Sequence, residues 1–306
     1  MTSRVLTRLR RRSRDEGVDA RLARDHGHEL ARIDAACADG SPDRFGLFRA
    51  LDADTWALLL TKEYERYPNI RALLPDVPEP ALQELYNGTS GAALAMQSVA
   101  FYRTAMDRFG PLDEGRLLDF GCGWGRLTRY FARDVRPGNL YGCDPVEAIL
   151  EVCRRTRVPA TLARSDFLPE RLPFSESFTH AFSFSVFTHL SETAQLACLH
   201  ALRAGLEPGG VLVLTVRPPE YVDLCELMHP LREELPAGWA DEPRHLFIAH
   251  AATPDHPQYA GPDMHFGEAV ITLPYVRERW AHLFDLVDVD ELAADPYQLV
   301  LTLRRR

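Results

Sequence analysis

The spacing of apolar residues changes about one third of the way along this 306-residue chain. Up to about residue 74, apolar positions recur at helical intervals, as at Trp56, Leu59 and Leu60. Prolines interrupt this pattern between 75 and 80, and a further helix is predicted over 92–109. The pattern therefore predicts a helical N-terminal cap region over residues 1–112, which packs on the following domain or covers it.

From residue 113 onward, short apolar runs alternate with amphipathic stretches. Strands are predicted at 116–120, 139–143, 160–163, 179–184 and 211–216, with helices at 127–133, 146–155 and 192–205. Residues 207–210 are predicted to form a turn, because they read Glu-Pro-Gly-Gly. This alternation is typical of a doubly wound α/β domain with a mostly parallel sheet, here over 113–306.

The C-terminal part of this domain differs from a simple alternation. Residues 217–273 are rich in Pro and His and are predicted to be irregular. Connections of this length tend to be functional lids or insertions, so we expect this segment to cover a substrate. A helix over 274–283 follows, and strands at 284–292 and 297–304 are close enough in sequence to pair antiparallel.

Composition narrows the class of protein. Hydrophobic residues make up 46% and charged residues 26%, as in a soluble globular protein. No apolar run approaches the ~20 residues of a membrane span, and the six cysteines lack disulfide or zinc spacing, so we expect a cytoplasmic protein. The net charge of −9 argues against a general nucleic-acid binder.

Two features of the N-terminal region stay open. Six arginines within residues 1–14 could form an arm that contacts an anionic surface, or a solvated, frayed helix. The N-terminal helices could fold back on their own sheet or pair between subunits, so a homodimer is one of two alternatives.

The most informative segment is the turn after the first strand, Asp119-Phe120-Gly121-Cys122-Gly123-Trp124-Gly125. Glycines at such a turn let the backbone approach a ligand closely, and the N-terminus of the following helix favours hydrogen-bond acceptors. A dinucleotide-binding fingerprint needs a glycine or alanine three positions after its second glycine, but here that position is Arg126. The turn therefore argues against a nicotinamide-dependent dehydrogenase.

Three acids fall at the ends of successive predicted strands: Asp119 and Asp144 end the first and second strands, and Asp166 follows the third. In a doubly wound sheet the carboxyl ends of neighbouring strands line one crevice, so these acids should converge on one ligand. A carboxylate at the end of the second strand can accept both hydroxyls of a ribose. An acid after the third strand is placed to accept from an adenine amino group.

Together with Ser165-Asp166-Phe167 and the stretches at 182–190 and 206–210, these motifs resemble the class I S-adenosylmethionine (SAM) methyltransferases. The resemblance implies a Rossmann-like, seven-stranded, mostly parallel sheet with an antiparallel last strand. It implies SAM as cofactor and S-adenosylhomocysteine (SAH) as product. Asp119 and residues 121–125 would flank the methionine portion, and Arg126 its carboxylate. The full set of cofactor-binding residues implied is Asp119, Gly121, Cys122, Gly123, Gly125, Arg126, Asp144, Pro145, Ser165, Asp166, Phe167 and Ser185.

Transfer to a hydroxyl or a protonated amine also requires a base with a pKa near neutrality. His189 lies just past the fourth strand, near the expected methyl position, but it could instead cap the next helix or bond a backbone carbonyl. His265 belongs to a second cluster with Asp263 and Glu268, which could supply a base, a metal site or substrate contacts. The histidine spacing is not that of structural zinc, and we expect no metal.

The arrangement looks like bacterial methyltransferases that modify sugars or specialised metabolites, including peptide-derived products. This narrower resemblance depends on residues 185–190, the insertion at about 217–273 and the segment from Tyr275 to Trp280. It favours methylation of a hydroxyl of a small polar acceptor in natural product biosynthesis. N-methylation of an amine, such as one in a peptide-derived product, is the first alternative. A SAM-binding protein without catalysis is the second.

Overall fold

The computed structural model describes residues 17–38, 43–250 and 264–306. The chain divides into two compact units, 1–99 and 100–306, and the boundary falls within a long helix, Gly91–Phe109. The arginine-rich segment 1–14 and Asp263 lie outside the described residues.

The first unit is helical. Its elements are α1 (Val18–Cys37), a 3-10 helix (Phe45–Phe48), α2 (Ala53–Thr61), α3 (Pro68–Leu73), α4 (Pro80–Asn87) and the first part of α5 (Gly91–Phe109). Asp52 caps α2, because its Oδ1 accepts a hydrogen bond from Thr55 N at 2.9 Å. Trp56 is fully buried and packs on Phe48, with ring centroids 5.0 Å apart. The predicted helical pattern is therefore present in this unit.

The second unit contains nine strands among its described residues. They are β1 (Leu117–Phe120), β2 (Leu140–Asp144), β3 (Thr161–Arg164), β4 (Phe178–Ser183), β5 (Leu206–Val216), β6 (His245–Ala249), β7 (Gly267–Ile271), β8 (Phe284–Glu291) and β9 (Leu299–Arg305). Seven of them form a sheet of order β3-β2-β1-β4-β5-β9-β8, in which β9 runs antiparallel to both neighbours. The Rossmann-like sheet with a reversed last strand is confirmed.

Three helices accompany this sheet in the expected places, namely α6 (Glu147–Arg155), α7 (Glu192–Gly205) and, further along the chain, α10 (Leu273–Arg279). The helix predicted over 127–133 is a 3-10 helix, Thr128–Arg133. Its backbone hydrogen bonds span three residues, as from Tyr130 N to Leu127 O, because short helical segments readily tighten in this way. The predicted helix is therefore present, as a 3-10 helix.

The described part of the segment after β5 is more ordered than predicted. It includes the short α-helices α8 (Tyr221–Leu224) and α9 (His229–Glu234), and β6 pairs antiparallel with β7 in a separate two-stranded sheet. All five residues of β7 are buried. Because both faces of this strand are covered, its sequence lacks the alternation that would have revealed it.

The predicted turn at 207–210 lies inside β5. Phe178 of β4 pairs with Leu206, and His180 pairs with Val211, so four residues of β5 lie opposite one residue of β4 between these pairs. Gly209 provides the left-handed backbone conformation there, with φ of +77°. The predicted strand therefore begins five residues earlier than expected.

Aromatic side chains pack against the middle of the sheet. The Phe182 ring of β4 lies 4.5 Å from that of Phe131 and 6.0 Å from that of Phe101 on α5. This packing fixes the central strands, whose carboxyl ends carry the candidate site. Within the described part of the chain, no helix is long and apolar enough to span a bilayer.

Candidate active site

The glycine turn after β1 is held against the end of β2. Gly121 N and Cys122 N both donate to Cys143 O, at 2.8 and 3.0 Å, and Gly125 N donates to Cys122 O at 2.9 Å. The loop is thereby fixed at the carboxyl edge of the sheet, where ligands bind in open α/β folds.

All three glycines of this loop have positive φ, between +52° and +76°. A Cβ atom at Gly125 would lie 2.7 Å from Val158 Cγ2, and one at Gly121 would overlap Val186. A Cβ atom at Gly123 would meet nothing within 4 Å. Gly121 and Gly125 therefore allow close packing behind the loop, whereas Gly123 borders open space that a ligand can enter.

Asp119 in β1 and Asp144 at the end of β2 adjoin this loop. Asp119 is buried, and its Oδ2 accepts from Thr128 Oγ1 at 2.5 Å. Asp144 accepts backbone hydrogen bonds from Gly123 at 3.0 Å and from Val146 at 2.9 Å. Burial raises the pKa of Asp119 to about 7 and that of Asp144 to about 6, and the charge of Asp144 adds to the shift at Asp119.

The segment after β3 reaches the same edge. Ser165 is buried and its N–H donates to Asp144 O at 3.2 Å, which places Asp166 and Phe167 beside the end of β2. The Asp166 side chain is exposed and Phe167 is half-buried. Pro145 O accepts from Arg164 Nε at 3.2 Å, which links the ends of β2 and β3.

Arg129 was not predicted, yet it supports the glycine loop from inside the protein. Its side chain is buried, and Nε donates to Gly125 O at 2.9 Å. Its guanidinium lies 4.9 Å from the centre of the Trp124 ring. An arginine within an apolar helical segment could have suggested this role, since buried arginines require specific partners.

Arg126 lies over the Phe184 ring, 4.9 Å from its centre. Burial lowers the pKa of Arg126 to about 10, and the charges of Asp295 and Asp119 oppose this shift. Asp295 comes from the loop between β8 and β9 and was not predicted. The local sequence holds no signal for it, because this electrostatic interaction joins residues about 170 positions apart.

Ser185 follows β4 and has a φ of +58°, a left-handed conformation that is rare outside glycine. Its N–H donates to Thr215 Oγ1 at 2.8 Å, and its Oγ accepts from Gln298 Nε2 at 3.3 Å. Neither Thr215 nor Gln298 was predicted. Thr215 could have been found by the strand-end rule, since it lies one residue before the end of β5.

His189 is half-buried, and its Nδ1 lies 2.8 Å from Gly267 O. A carbonyl oxygen can only accept, so Nδ1 carries a proton and the neutral ring has an unprotonated Nε2. The ring stacks on Phe266, with centroids 5.1 Å apart. Burial lowers the pKa of His189, Glu268 opposes this shift, and Arg217 and His250 add to it. The backbone contact considered from the sequence is present, and it leaves Nε2 available as a base.

His265 is placed differently. Its Nδ1 lies 2.7 Å from Ser191 Oγ, and its backbone carbonyl accepts from Ser191 N at 2.9 Å. Ser191 in turn caps α7, because its hydroxyl accepts from Ala194 N. Within the described residues, the contacts of the His265 side chain therefore connect it to the start of α7.

The raised pKa of Asp119 gives a testable dependence of stability on pH. An acid whose pKa is higher in the folded than in the unfolded state makes the folded protein bind more protons between the two values. The free energy of unfolding should therefore fall as pH rises from about 4 to about 7. Asp119→Asn lacks the titrating carboxyl group. As pH rises, the free energy of unfolding of wild type should therefore fall relative to that of the variant by at most about 1.4 kcal/mol per pH unit.

Urea unfolding of both proteins between about pH 5 and about pH 7.5 measures this difference. Asp113→Asn is the matched control, since Asp113 is exposed. If the free energies of unfolding of wild type and Asp119→Asn change in parallel with pH, Asp119 does not have a raised pKa in the folded protein.

Comparison with known proteins gives one family match. Residues 117–210 match the family model described as a methyltransferase domain. A carboxy-S-adenosyl-L-methionine synthase from Pseudoalteromonas translucida (strain TAC 125) is 26% identical over 147 residues. That match covers 44% of this chain and 60% of the relative, which is less than two thirds of the relative's length.

Several solved structures are similar at low identity. The glycopeptide N-methyltransferase MtfA complexed with sinefungin is 20% identical, with a TM-score of 0.46 over 68% of this chain and 93% of that chain. The magnesium protoporphyrin IX methyltransferase ChlM from Synechocystis PCC 6803 with bound SAH is 13% identical, with a TM-score of 0.48 over 74% of this chain and 93% of that chain.

The strand order, with β9 reversed, and the glycine loop after β1 define a Rossmann-like α/β domain. Because residues 117–210 match the family model, this part of the chain carries a methyltransferase domain.

Proposed function

We propose that the protein transfers the methyl group of SAM to a hydroxyl of a small polar acceptor, such as a sugar or a specialised metabolite. The single observation that supports an acceptor that must lose a proton, as a hydroxyl does, is the tautomer of His189. Its Nδ1 is fixed as a donor to Gly267 O, and its lowered pKa keeps the ring neutral at pH 7. A neutral ring with an unprotonated Nε2 can accept a proton from a hydroxyl.

The donor would bind along the carboxyl edge of β1, β2 and β3. The open space beside Gly123 accommodates a ligand close to the backbone. Asp144 would accept the ribose hydroxyls, because each of its oxygens has acceptor capacity left after one backbone hydrogen bond. The exposed Asp166 and the half-buried Phe167 would contact the adenine, and Arg126 the methionine carboxylate.

Bound SAM supplies a methyl group activated by its positive sulfur. The acceptor oxygen forms a bond to the methyl carbon while the carbon–sulfur bond breaks, and the electron pair stays on sulfur to give SAH. The proton of the hydroxyl passes to His189 Nε2. The loop after β4 lies next to the glycine loop, because the Val186 side chain packs against Gly121. The Val186 carbonyl accepts from His189 N at 2.9 Å, so the base belongs to the same loop.

The proposal is tested by calorimetry and by product detection. The protein should bind SAM and not NAD or FAD, and it should form SAH above the rate of SAM hydrolysis with hydroxyl-bearing acceptors. SAH formed only with amines would replace this proposal with N-methylation. SAM binding without SAH across sugars, phenols and amines would favour a non-catalytic binding protein.

A further inference from the structure

Glu268 of β7 is buried, and among the residues that the structure describes its carboxylate contacts four polar side chains. Oε1 lies 3.5 Å from His189 Nδ1 and 3.3 Å from His250 Nε2. Oε2 accepts from the Tyr221 hydroxyl at 3.0 Å and lies 3.6 Å from Arg217 Nη2. We call these five residues the Glu268 cluster.

The members of the Glu268 cluster come from separate segments. His189 follows β4, Arg217 follows β5, Tyr221 belongs to α8, and His250 follows β6. The Arg217 guanidinium also lies 4.1 Å from the centre of the Tyr221 ring. A buried carboxylate is costly unless it is paired, and here one carboxylate connects four segments around the candidate base.

We propose that Glu268 is the positioning residue for His189, fixing its ring and stabilising the positive charge that forms on it during methyl transfer. This inference rests on the proposed function for its catalytic part. The ring is held from one side by Gly267 O and Glu268 Oε1, which leaves Nε2 facing away from both. A carboxylate at this distance favours the imidazolium form once the proton arrives.

Burial lowers the pKa of His189, and two other groups that face it, Arg217 and His250, oppose the effect of Glu268. Arg217 supplies a positive charge that compensates Glu268, and His250 shares the same carboxylate oxygen. When both imidazoles are neutral, the Glu268 cluster carries one positive and one negative charge. Proton transfer to His189 then adds a single positive charge directly beside Oε1.

Titration of His189 by nuclear magnetic resonance tests this coupling without a methyl acceptor. The imidazole signals of 13C-histidine-labelled protein are recorded against pH, and the His189 signal is assigned by its loss in His189→Gln. In Glu268→Gln we expect the pKa of His189 to fall by about one unit, because the neutral amide no longer favours the cation. Glu268→Asp keeps the charge and should restore a value near that of wild type.

Glu226→Gln is the matched control, because Glu226 is exposed and lies outside the Glu268 cluster. An unchanged His189 titration in a folded Glu268→Gln protein would overturn the inference. If Glu268→Gln does not fold, His250→Asn tests whether the Glu268 cluster controls the pKa of His189. Removal of the second imidazole from Oε1 should raise the pKa of His189, and an unchanged value would overturn the inference.

Turnover separates this inference from the proposed function. With an acceptor that yields SAH, Glu268→Gln should lower kcat more than it changes KM. It should also move the acidic limb of the kcat profile to lower pH, following the pKa of His189. If the titrations show the coupling but no acceptor is methylated, the proposed function fails and the link between Glu268 and His189 stands.

Discussion

His189→Ala is expected to lower kcat by roughly 10²–10⁴-fold, the range for loss of a general base, and to leave SAM affinity close to that of wild type. The side chain that accepts the proton is lost, but no proposed donor contact is removed. SAH formation by mass spectrometry gives the rate, and calorimetry gives the affinity. Steady-state rates should be measured above the pKa of His189, where wild type is fully active.

His200→Ala is the matched control, because His200 is an exposed histidine on α7. His265→Ala provides the competing test, since His265 was also predicted as catalytic. If His265→Ala loses activity and His189→Ala keeps it, the base is His265. The contact between His265 and Ser191 would then have to open during turnover.

Asp144→Ala is expected to weaken SAM binding by about 3 kcal/mol or more, roughly a hundredfold in Kd. The ribose would lose two hydrogen bonds to a charged acceptor. Gly123 N and Val146 N would also lose their common partner, so the glycine loop would be less well ordered before binding. Calorimetry with SAM, SAH and methylthioadenosine measures the effect.

The choice of ligands tests which part of the donor Asp144 contacts. Methylthioadenosine keeps the ribose but lacks the amino acid portion, so its affinity should fall as far as that of SAH. A loss confined to SAM and SAH would place Asp144 near the methionine portion and contradict the ribose assignment. Asp113→Ala should bind all three ligands as wild type does, because Asp113 is an exposed residue.

The sequence predicted the parts of the site that follow from strand order. Asp119 lies one residue before the end of β1, Asp144 ends β2 and Asp166 follows β3, and parallel strands bring such positions to one edge of the sheet. The reversed strand β9 followed from the short connection between the last two apolar runs. These predictions needed only local periodicity and the family resemblance.

The contacts of Glu268 could not be predicted from the sequence. Its four partners lie between 18 and 79 residues away along the chain, and β7 shows no alternation because both of its faces are buried. Asp295 and Gln298 were missed for a similar reason, since the loop between β8 and β9 reaches the end of β4 only after the hairpin has docked. Long-range pairings of this kind depend on the assembled sheet.

The position of β9 between β5 and β8 has a consequence for biosynthesis. Until residues 299–305 leave the ribosome, β5 is an open edge with unpaired backbone groups, and β8 has no neighbour in the main sheet. Such an edge can pair with other nascent polypeptides. The sheet can therefore be completed only after residues 299–305 have been synthesised, and chaperone binding to β5 during elongation would protect the chain from aggregation.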